Sequence, residues 1–228
     1  AAAKEVITAE LERKQLRLCA LVNNAGVSGT QLAEAVSIDD AKYMFEVNYF
    51  GLLQVTQAFI PLLRVSQGRI INIGSLAGKV VRPLSAVYSS TKFAVEALSD
   101  GLRRELSAFD VSVSLVQPGA VESVMATNAK NVVPELRKEL EGMGLLNLEP
   151  IRSLVEKRET QARNFDKKNI WTPAESTDKV ILHAIQNPRP KARYPTAGFG
   201  PLPGWLIALL PGFLPDHVAD SLMRLLGF

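Results

Sequence analysis

Short, wholly apolar runs alternate along this chain with longer stretches whose apolar residues recur every three or four positions, the pattern of strands alternating with helices. Leu18 to Val22, Arg69 to Gly74 and Val111 to Val116 read as buried strands, each running into small or polar residues: Asn23-Asn24-Ala25-Gly26, Ser75, and Gln117-Pro118-Gly119. Helices are predicted over about Lys4 to Gln15 and from Ser37 towards Arg64, where Ser37-Ile38-Asp39-Asp40 resembles a capping box and Pro61 bends the last turn. Another begins near Ala86, with Val87, Ala94, Leu98 and Leu102 as the positions that anchor it to the sheet. Two charged helical stretches follow, Pro134 to Glu141 and Glu149 to Phe165, joined by a glycine-rich link. Thr172 as cap, Pro173 at the first position and Glu175 at the third then predict a helix running to about Gln186. Lys191 to Thr196 is a last strand, confined to an edge by Pro195. Such alternation predicts one α/β domain over residues 1–228, a doubly wound parallel sheet flanked by helices.

Ligands of an open parallel sheet bind beyond the carboxyl ends of its strands, so the polar residues at those ends are the candidates for chemistry. Ser75 follows the second strand, and Tyr88 and Lys92 lie four residues apart on the next helix, hence on one face. A cation at roughly 4 Å and an effective dielectric near 20 would favour the phenolate by about 4 kcal/mol, enough to bring a phenol that titrates near 10 towards neutral pH. Tyr-x-x-x-Lys alone also occurs on solvated helix faces, and it gains meaning here from Ser75 and the strand ends around it. Asn48 falls inside the long helix, where asparagine is a mediocre helix former, and Asn48-Tyr49-Phe50-Gly51 invites a local distortion.

The chain has 228 residues and is 47% hydrophobic, long enough for one sizeable core. Its net charge of +3 is scattered in mixed sign along helices, as in Asp100 with Arg103 and Arg104, which argues against nucleic acid as a partner. The single Cys19 lies in an apolar run and reads as a small buried hydrophobe. His183 and His217 have no partners at metal-ligand spacing, so both read as structural and no metal is expected.

With these residues in view the chain resembles the classical short-chain dehydrogenase/reductase family from about Leu18 to Ser123. The resemblance is carried by Asn23-Asn24-Ala25-Gly26, Val47-Asn48-Tyr49-Phe50-Gly51, Ser75, Tyr88-Ser89-Ser90-Thr91-Lys92 and Pro118-Gly119-Ala120-Val121. Leu18 to Gly26 and Tyr88 to Leu106 look most like the retinol and hydroxysteroid dehydrogenase branch. The resemblance implies a Rossmann-type fold and reversible hydride transfer between NAD or NADP and a lipophilic alcohol. It implies that Tyr88 moves the hydroxyl proton, that Ser75 hydrogen-bonds the substrate oxygen, and that Lys92 lowers the tyrosine pKa and grips the nicotinamide ribose. Asn48 would hold a water in a proton relay. Asn23, Ala25 and Gly26 would lie against the adenosine side of the cofactor, and Pro118, Gly119 and Val121 against the nicotinamide amide. Ser123 stands where the family usually has threonine. Residues 124–170 would cover the substrate, and a homo-oligomer is implied.

The family's opening glycine-rich turn, which cradles the pyrophosphate, has no counterpart: the first glycine is Gly26, and Gly198-Phe199-Gly200 comes too late, interrupted by Pro201 and Pro203. The sheet is therefore expected to lack its first strands, leaving the Leu18 to Val22 strand short of a neighbour. The expectation is a piece of a longer polypeptide, inactive by itself and binding the nicotinamide cofactor weakly; the alternative is a naturally shortened, non-catalytic relative acting as an interaction or membrane-surface module.

No charged residue occurs from Tyr194 to Pro215, but five prolines and four glycines break that stretch, so it does not read as a membrane-spanning helix. Residues 197–228 read as a hydrophobic flap over the substrate pocket or as an interfacial patch, because Trp205 and Phe213 lie near Arg189, Lys191 and Arg193. The expected setting is intracellular, with membrane association through residues 199–228 as the other reading. Deleting residues 199–228 and measuring liposome co-sedimentation separates the two: a flap leaves lipid binding unchanged, whereas an interfacial patch loses it.

Overall fold

Four parallel strands lie side by side in chain order: β1 (Ala20–Asn23), β2 (Arg69–Ile73), β3 (Ser112–Pro118) and β4 (Arg193–Thr196). The computed structural model describes residues 2–167, 171–198, 202–209 and 214–225. Because side chains alternate across a strand, Ile70 and Ile71 of β2 enter different cores. Ile70 and Val113 meet Phe59 and Leu63 of α3 (Leu52–Ser66) and Leu102 and Leu106 of α4 (Ala86–Leu106). On the other face, Ile71 and Val116 meet Ala184 of α7 (Glu175–Gln186) and Tyr194. Each such aliphatic side chain, fully buried, contributes about 1.5–3 kcal/mol. Helices on both faces of a parallel sheet make this the doubly wound fold that the alternation of elements predicted.

The long helix runs as α2 (Ile38–Phe45), a widened π turn (Glu46–Gly51) and α3, with Pro61 inside its later part. Ser37 accepts a hydrogen bond from the Asp40 amide, as its capping pattern predicted. The distortion anticipated around Asn48 is the π turn.

Several sequence-based expectations shift. Cys19 is exposed: the strand begins at Ala20, and β1 is an edge strand whose other side is unpaired among the described residues. The buried face of α4 runs through Lys92, Val95, Glu96, Ser99, Leu102 and Leu106, with Val87, Ala94 and Leu98 half-buried beside it. Small and polar residues dominate this face because α4 crosses a polar stretch of the sheet, a preference that hydrophobic periodicity cannot register. Thr172 does not cap α7; its backbone pairs with Ala120 and Glu122, and Ala174 occupies the cap without a side-chain hydrogen bond. The first charged helix in 124–170 is longer than expected, α5 (Val124–Gly142) with Pro134 in its interior, and α6 (Glu149–Lys167) follows. After α1 (Ala2–Lys14), the remaining short helices are α8 (Gly204–Leu209) and α9 (Asp216–Leu225). Phe199, Gly200, Pro201 and Phe213 lie outside the described residues, as do residues 168–170. No helix among the described residues is long and apolar enough to cross a membrane.

A buried chain of side-chain hydrogen bonds ties these elements together. Asn23 donates to Thr56 of α3 and to Asn72 of β2, both at 2.9 Å, and Asn72 donates to Ser99 of α4 at 3.0 Å. A second network holds Glu96: it accepts from Gln117 of β3 and pairs with Lys79 at 2.9 Å and Arg193 at 3.0 Å. Removing one member of such a chain leaves the others desolvated without partners, at about 1–3 kcal/mol each. Asn72→Ala should therefore destabilise the domain by about 3 kcal/mol, read as a lower urea midpoint with an unchanged slope. A loss within 0.5 kcal/mol would mean that the chain of amides contributes nothing.

Candidate active site

The carboxyl edge of the sheet gathers the predicted chemistry. Gly74 and Ser75 follow β2, and the Ser75 hydroxyl accepts from the Ala77 amide at 3.0 Å, capping a single 3₁₀ turn over Leu76–Gly78. The same hydroxyl donates to the Pro118 carbonyl at the end of β3, at 3.4 Å. Gly78 is required here because a Cβ would come within 2.8 Å of the Lys92 main-chain carbonyl, so the Ser75 turn packs directly on the second turn of α4.

Tyr88 and Lys92 share the face of α4 that looks onto this turn. Ser75 lies near the Tyr88 phenol and favours its ionised form, as does the charge of Arg82. Lys92 is only 6% exposed. Its ammonium lies 5.8 Å from the Tyr88 ring centroid and donates to the Ile73 carbonyl at 3.2 Å. Burial pulls the Lys92 pKa down to about 8. Burial also pushes the Tyr88 phenol above its ordinary range, and Ser75 and Arg82 only partly oppose it. This reverses the downward shift expected from Lys92. The physical reason is that the ammonium is directed at a strand carbonyl, so its attraction for a phenolate is weaker than the cost of desolvating one.

Asn48 is fully enclosed. Its side-chain carbonyl accepts from the Val27 amide at 2.8 Å, and its amide donates to the Val27 carbonyl at 2.9 Å and to Thr91 at 3.0 Å. It thus pins the loop after β1 to α4. Gly26 sits in that loop, where a Cβ would lie 3.2 Å from the Asn48 Oδ1 and 3.7 Å from the Lys92 Nζ. Ala25 is exposed on the same turn, while the Asn23 side chain is committed to the buried amide chain. Past β3, the Gly119 amide donates to Thr196 and the Ala120 amide to Gly198, and Val121 bridges to Thr172. Ser123 is exposed, its hydroxyl 3.5 Å from the Val121 carbonyl. Ile207 of α8 packs on Leu76 and Ala120, bringing the C-terminal segment against the site.

The structure therefore brings Gly26, Asn48, Ser75, Tyr88, Lys92 and Pro118 into one cluster. Val121 and Ser123 lie on the adjoining turn. Sequence reasoning missed Thr91, which orients Asn48, and Arg82, whose charge acts on Tyr88; a basic residue just ahead of the tyrosine helix was the available signal. It also missed the Glu96 network, which holds α4 one turn beyond Lys92. His183 is engaged by Tyr194 at 2.8 Å and Asn187 at 2.9 Å, far along the chain from the cluster.

The arrangement fits a nicotinamide ribose. An ammonium has three donors, and one of those on Lys92 is directed at Ile73, leaving two for vicinal hydroxyls beside a turn kept bare at Gly26.

Comparisons with known proteins bear on the family and the fold. The family model for short chain dehydrogenases matches residues 1–133. The mitochondrial D-beta-hydroxybutyrate dehydrogenase of Bos taurus is 33% identical over 226 residues, covering 95% of this chain, and the chain spans 64% of that protein's length. The 17-beta-hydroxysteroid dehydrogenase type 6 of Bos taurus is 44% identical over 109 residues, covering 47% of this chain and 34% of that protein. A short-chain dehydrogenase from Streptomyces avermitilis has the same fold, with a TM-score of 0.63 at 24% identity, covering 98% of this chain and 74% of that one.

Burying Lys92 has a measurable cost. Its pKa is about 8 in the folded chain against 10.5 when unfolded, so between those values the unfolded chain binds more protons and stability rises with pH. Below pH 8 the full penalty applies, on the order of 3 kcal/mol. Lys92→Met should therefore be more stable than the wild type at pH 7, by about 1–3 kcal/mol in urea unfolding, with the gap closing towards pH 10.5. A gap that does not change with pH would show that charge burial is not its origin. This chain belongs to the short-chain dehydrogenase family.

Proposed function

We propose that this chain carries the proton-transfer site of an NAD- or NADP-dependent oxidoreductase that interconverts an alcohol and its carbonyl compound. The observation that carries this reading is the convergence of Ser75, Tyr88 and Lys92 at the carboxyl edge of a parallel sheet, in a member of a dehydrogenase family. When bound, the nicotinamide supplies the hydride acceptor or donor. Lys92 and the turn at Gly26 hold its ribose, and the Pro118 to Val121 turn, with Ser123, borders its amide.

The remaining chemistry is that of the chain's own side chains. Ser75 donates a hydrogen bond to the substrate oxygen, exchanging its long contact with Pro118 for a shorter one. Tyr88, held protonated near neutral pH by burial, gives its proton to the carbonyl oxygen as the carbonyl is reduced. In oxidation the phenolate takes the hydroxyl proton. Lys92 and Ser75 stabilise the charge left on the phenol, and Asn48 keeps the neighbouring loop in place for the relay that returns the proton to solvent.

A lipophilic alcohol suits this pocket. Leu76, Ala120 and Ile207 form an apolar wall beside Ser75, with Leu202 and Ala208 packed against it. The hydroxysteroid relative supports the same class. Exposed Tyr43, Phe50 and Val55 on the long helix, with Phe93 on α4, form the surface through which a homo-oligomer would assemble. In the complete protein, Tyr88→Phe should lower turnover by about 10²- to 10⁴-fold, while nicotinamide binding, followed by fluorescence quenching, stays within about twofold. Turnover within tenfold of the wild type would remove Tyr88 from proton transfer.

A further inference from the structure

Ser75 is carried by very little secondary structure of its own. The turn it caps, Leu76–Gly78, is closed by the Gly78 amide on the Ser75 carbonyl at 3.0 Å and the Lys79 amide on the Leu76 carbonyl at 2.9 Å. The hydrogen bonds of a 3₁₀ turn are poorly aligned, so one this short takes its position from what it packs against. Its near end is tied to the sheet, where the Gly74 amide donates to the Val116 carbonyl at 2.8 Å. Its far end leaves the sheet and is tied to α4 instead. There a Cβ on Gly78 would stand 2.8 Å from the Lys92 carbonyl and 3.2 Å from the Glu96 Cγ, and the Lys79 ammonium pairs with Glu96 Oε2 at 2.9 Å.

Glu96 lies four residues beyond Lys92 and eight beyond Tyr88 on α4, so the three share one side of the helix. Its buried carboxylate has three donors. Gln117 of β3, next to the Pro118 whose carbonyl accepts from Ser75, donates to Oε1, and Arg193 of β4 donates to Oε2 at 3.0 Å. These two lead to the sheet, whereas Lys79 leads to the turn. A carboxylate held by β3 and β4 is a rigid post, and Lys79 is the arm by which it reaches the turn that bears Ser75. Without Lys79, Glu96 keeps its ion pair with Arg193 and its bond from Gln117, so no buried charge is stranded.

We propose that Lys79 and Glu96 are positioning residues for the proton-transfer site: their ion pair transmits the placement of α4, and with it that of Tyr88 and Lys92, to the Ser75 hydroxyl. The catalytic consequence rests on the oxidoreductase reading above; the hold on the Ser75 turn has a readout of its own.

The test compares Lys79→Met with Arg193→Met in the complete protein. Each removes one cation from Glu96, but only the first releases the turn. Amide hydrogen exchange at Ala77 and Gly78, followed by NMR, should speed up at least about tenfold in Lys79→Met and stay within about twofold in Arg193→Met. Over a panel of secondary alkanols and cyclohexanols with NAD and NADP, kcat should fall about 10- to 100-fold in Lys79→Met, with nicotinamide binding within about twofold. Arg193→Met should stay within about threefold, and Lys79→Arg should recover most of the loss. With Ser75→Ala in place, Lys79→Met should cost no more than about twofold, because no hydroxyl is left to misplace. The same loss in both backgrounds, equal losses in Lys79→Met and Arg193→Met, or unchanged exchange at Ala77 and Gly78 would overturn the proposal. Faster exchange at those amides in a complete protein that turns over no alcohol would leave the hold on the Ser75 turn standing and remove the oxidoreductase reading.

Discussion

The hydrogen bond from the Lys92 ammonium to the Ile73 carbonyl joins α4 to the last residue of β2, at the edge where the sheet opens. A charge this deeply enclosed opposes folding, and it persists because the surrounding contacts over-determine its position. Gly78 packs on the carbonyl of Lys92, Asn48 reaches Thr91 beside it, and Glu96 is gripped one turn later by Gln117, Lys79 and Arg193. The domain thereby holds a buried cation at the mouth of the sheet. Strain of this kind at one point, compensated by well-satisfied polar networks around it, is the pattern of a site maintained for chemistry rather than for stability.

The same networks explain how precision is reached. A group displaced by about 1 Å loses on the order of a hundredfold in rate, so a proton-transfer pair needs rigid support. Hydrophobic packing between α3, α4 and the sheet gives the overall fit, while the Asn23-Asn72-Ser99 chain fixes the register of β1, β2 and α4 against each other. A one-residue slip would break every link of that chain, whereas aliphatic contacts could re-form.

Much of this was legible in the residues. Apolar runs located the strands to within a few positions, Ser37 and Asp40 marked a helix start, and Pro195 marked an edge strand. The spacing of Tyr88 and Lys92 placed both on one helical face beside Ser75. What could not be read were interactions between distant segments. Whether Lys92 would act on the phenol or on a strand carbonyl depends on where β2 ends in space. The burial of Glu96 and Ser99 depends on partners in β2, β3 and β4, about 20 to 100 residues away along the chain. Thr172 looked like a cap because its local sequence is that of one, and a long-range pairing with Ala120 and Glu122 claimed its backbone instead.

The central claim is that a phenol and a buried ammonium at this sheet edge serve hydride exchange between an alcohol and a nicotinamide. The most direct measurement supplies the complete protein with an alcohol deuterated at the carbinol carbon and the oxidised nicotinamide, and follows the label by mass spectrometry. The account predicts one deuterium carried over to the reduced nicotinamide and none released to water. Label appearing in solvent, or an oxidised alcohol with an unlabelled nicotinamide, would contradict it.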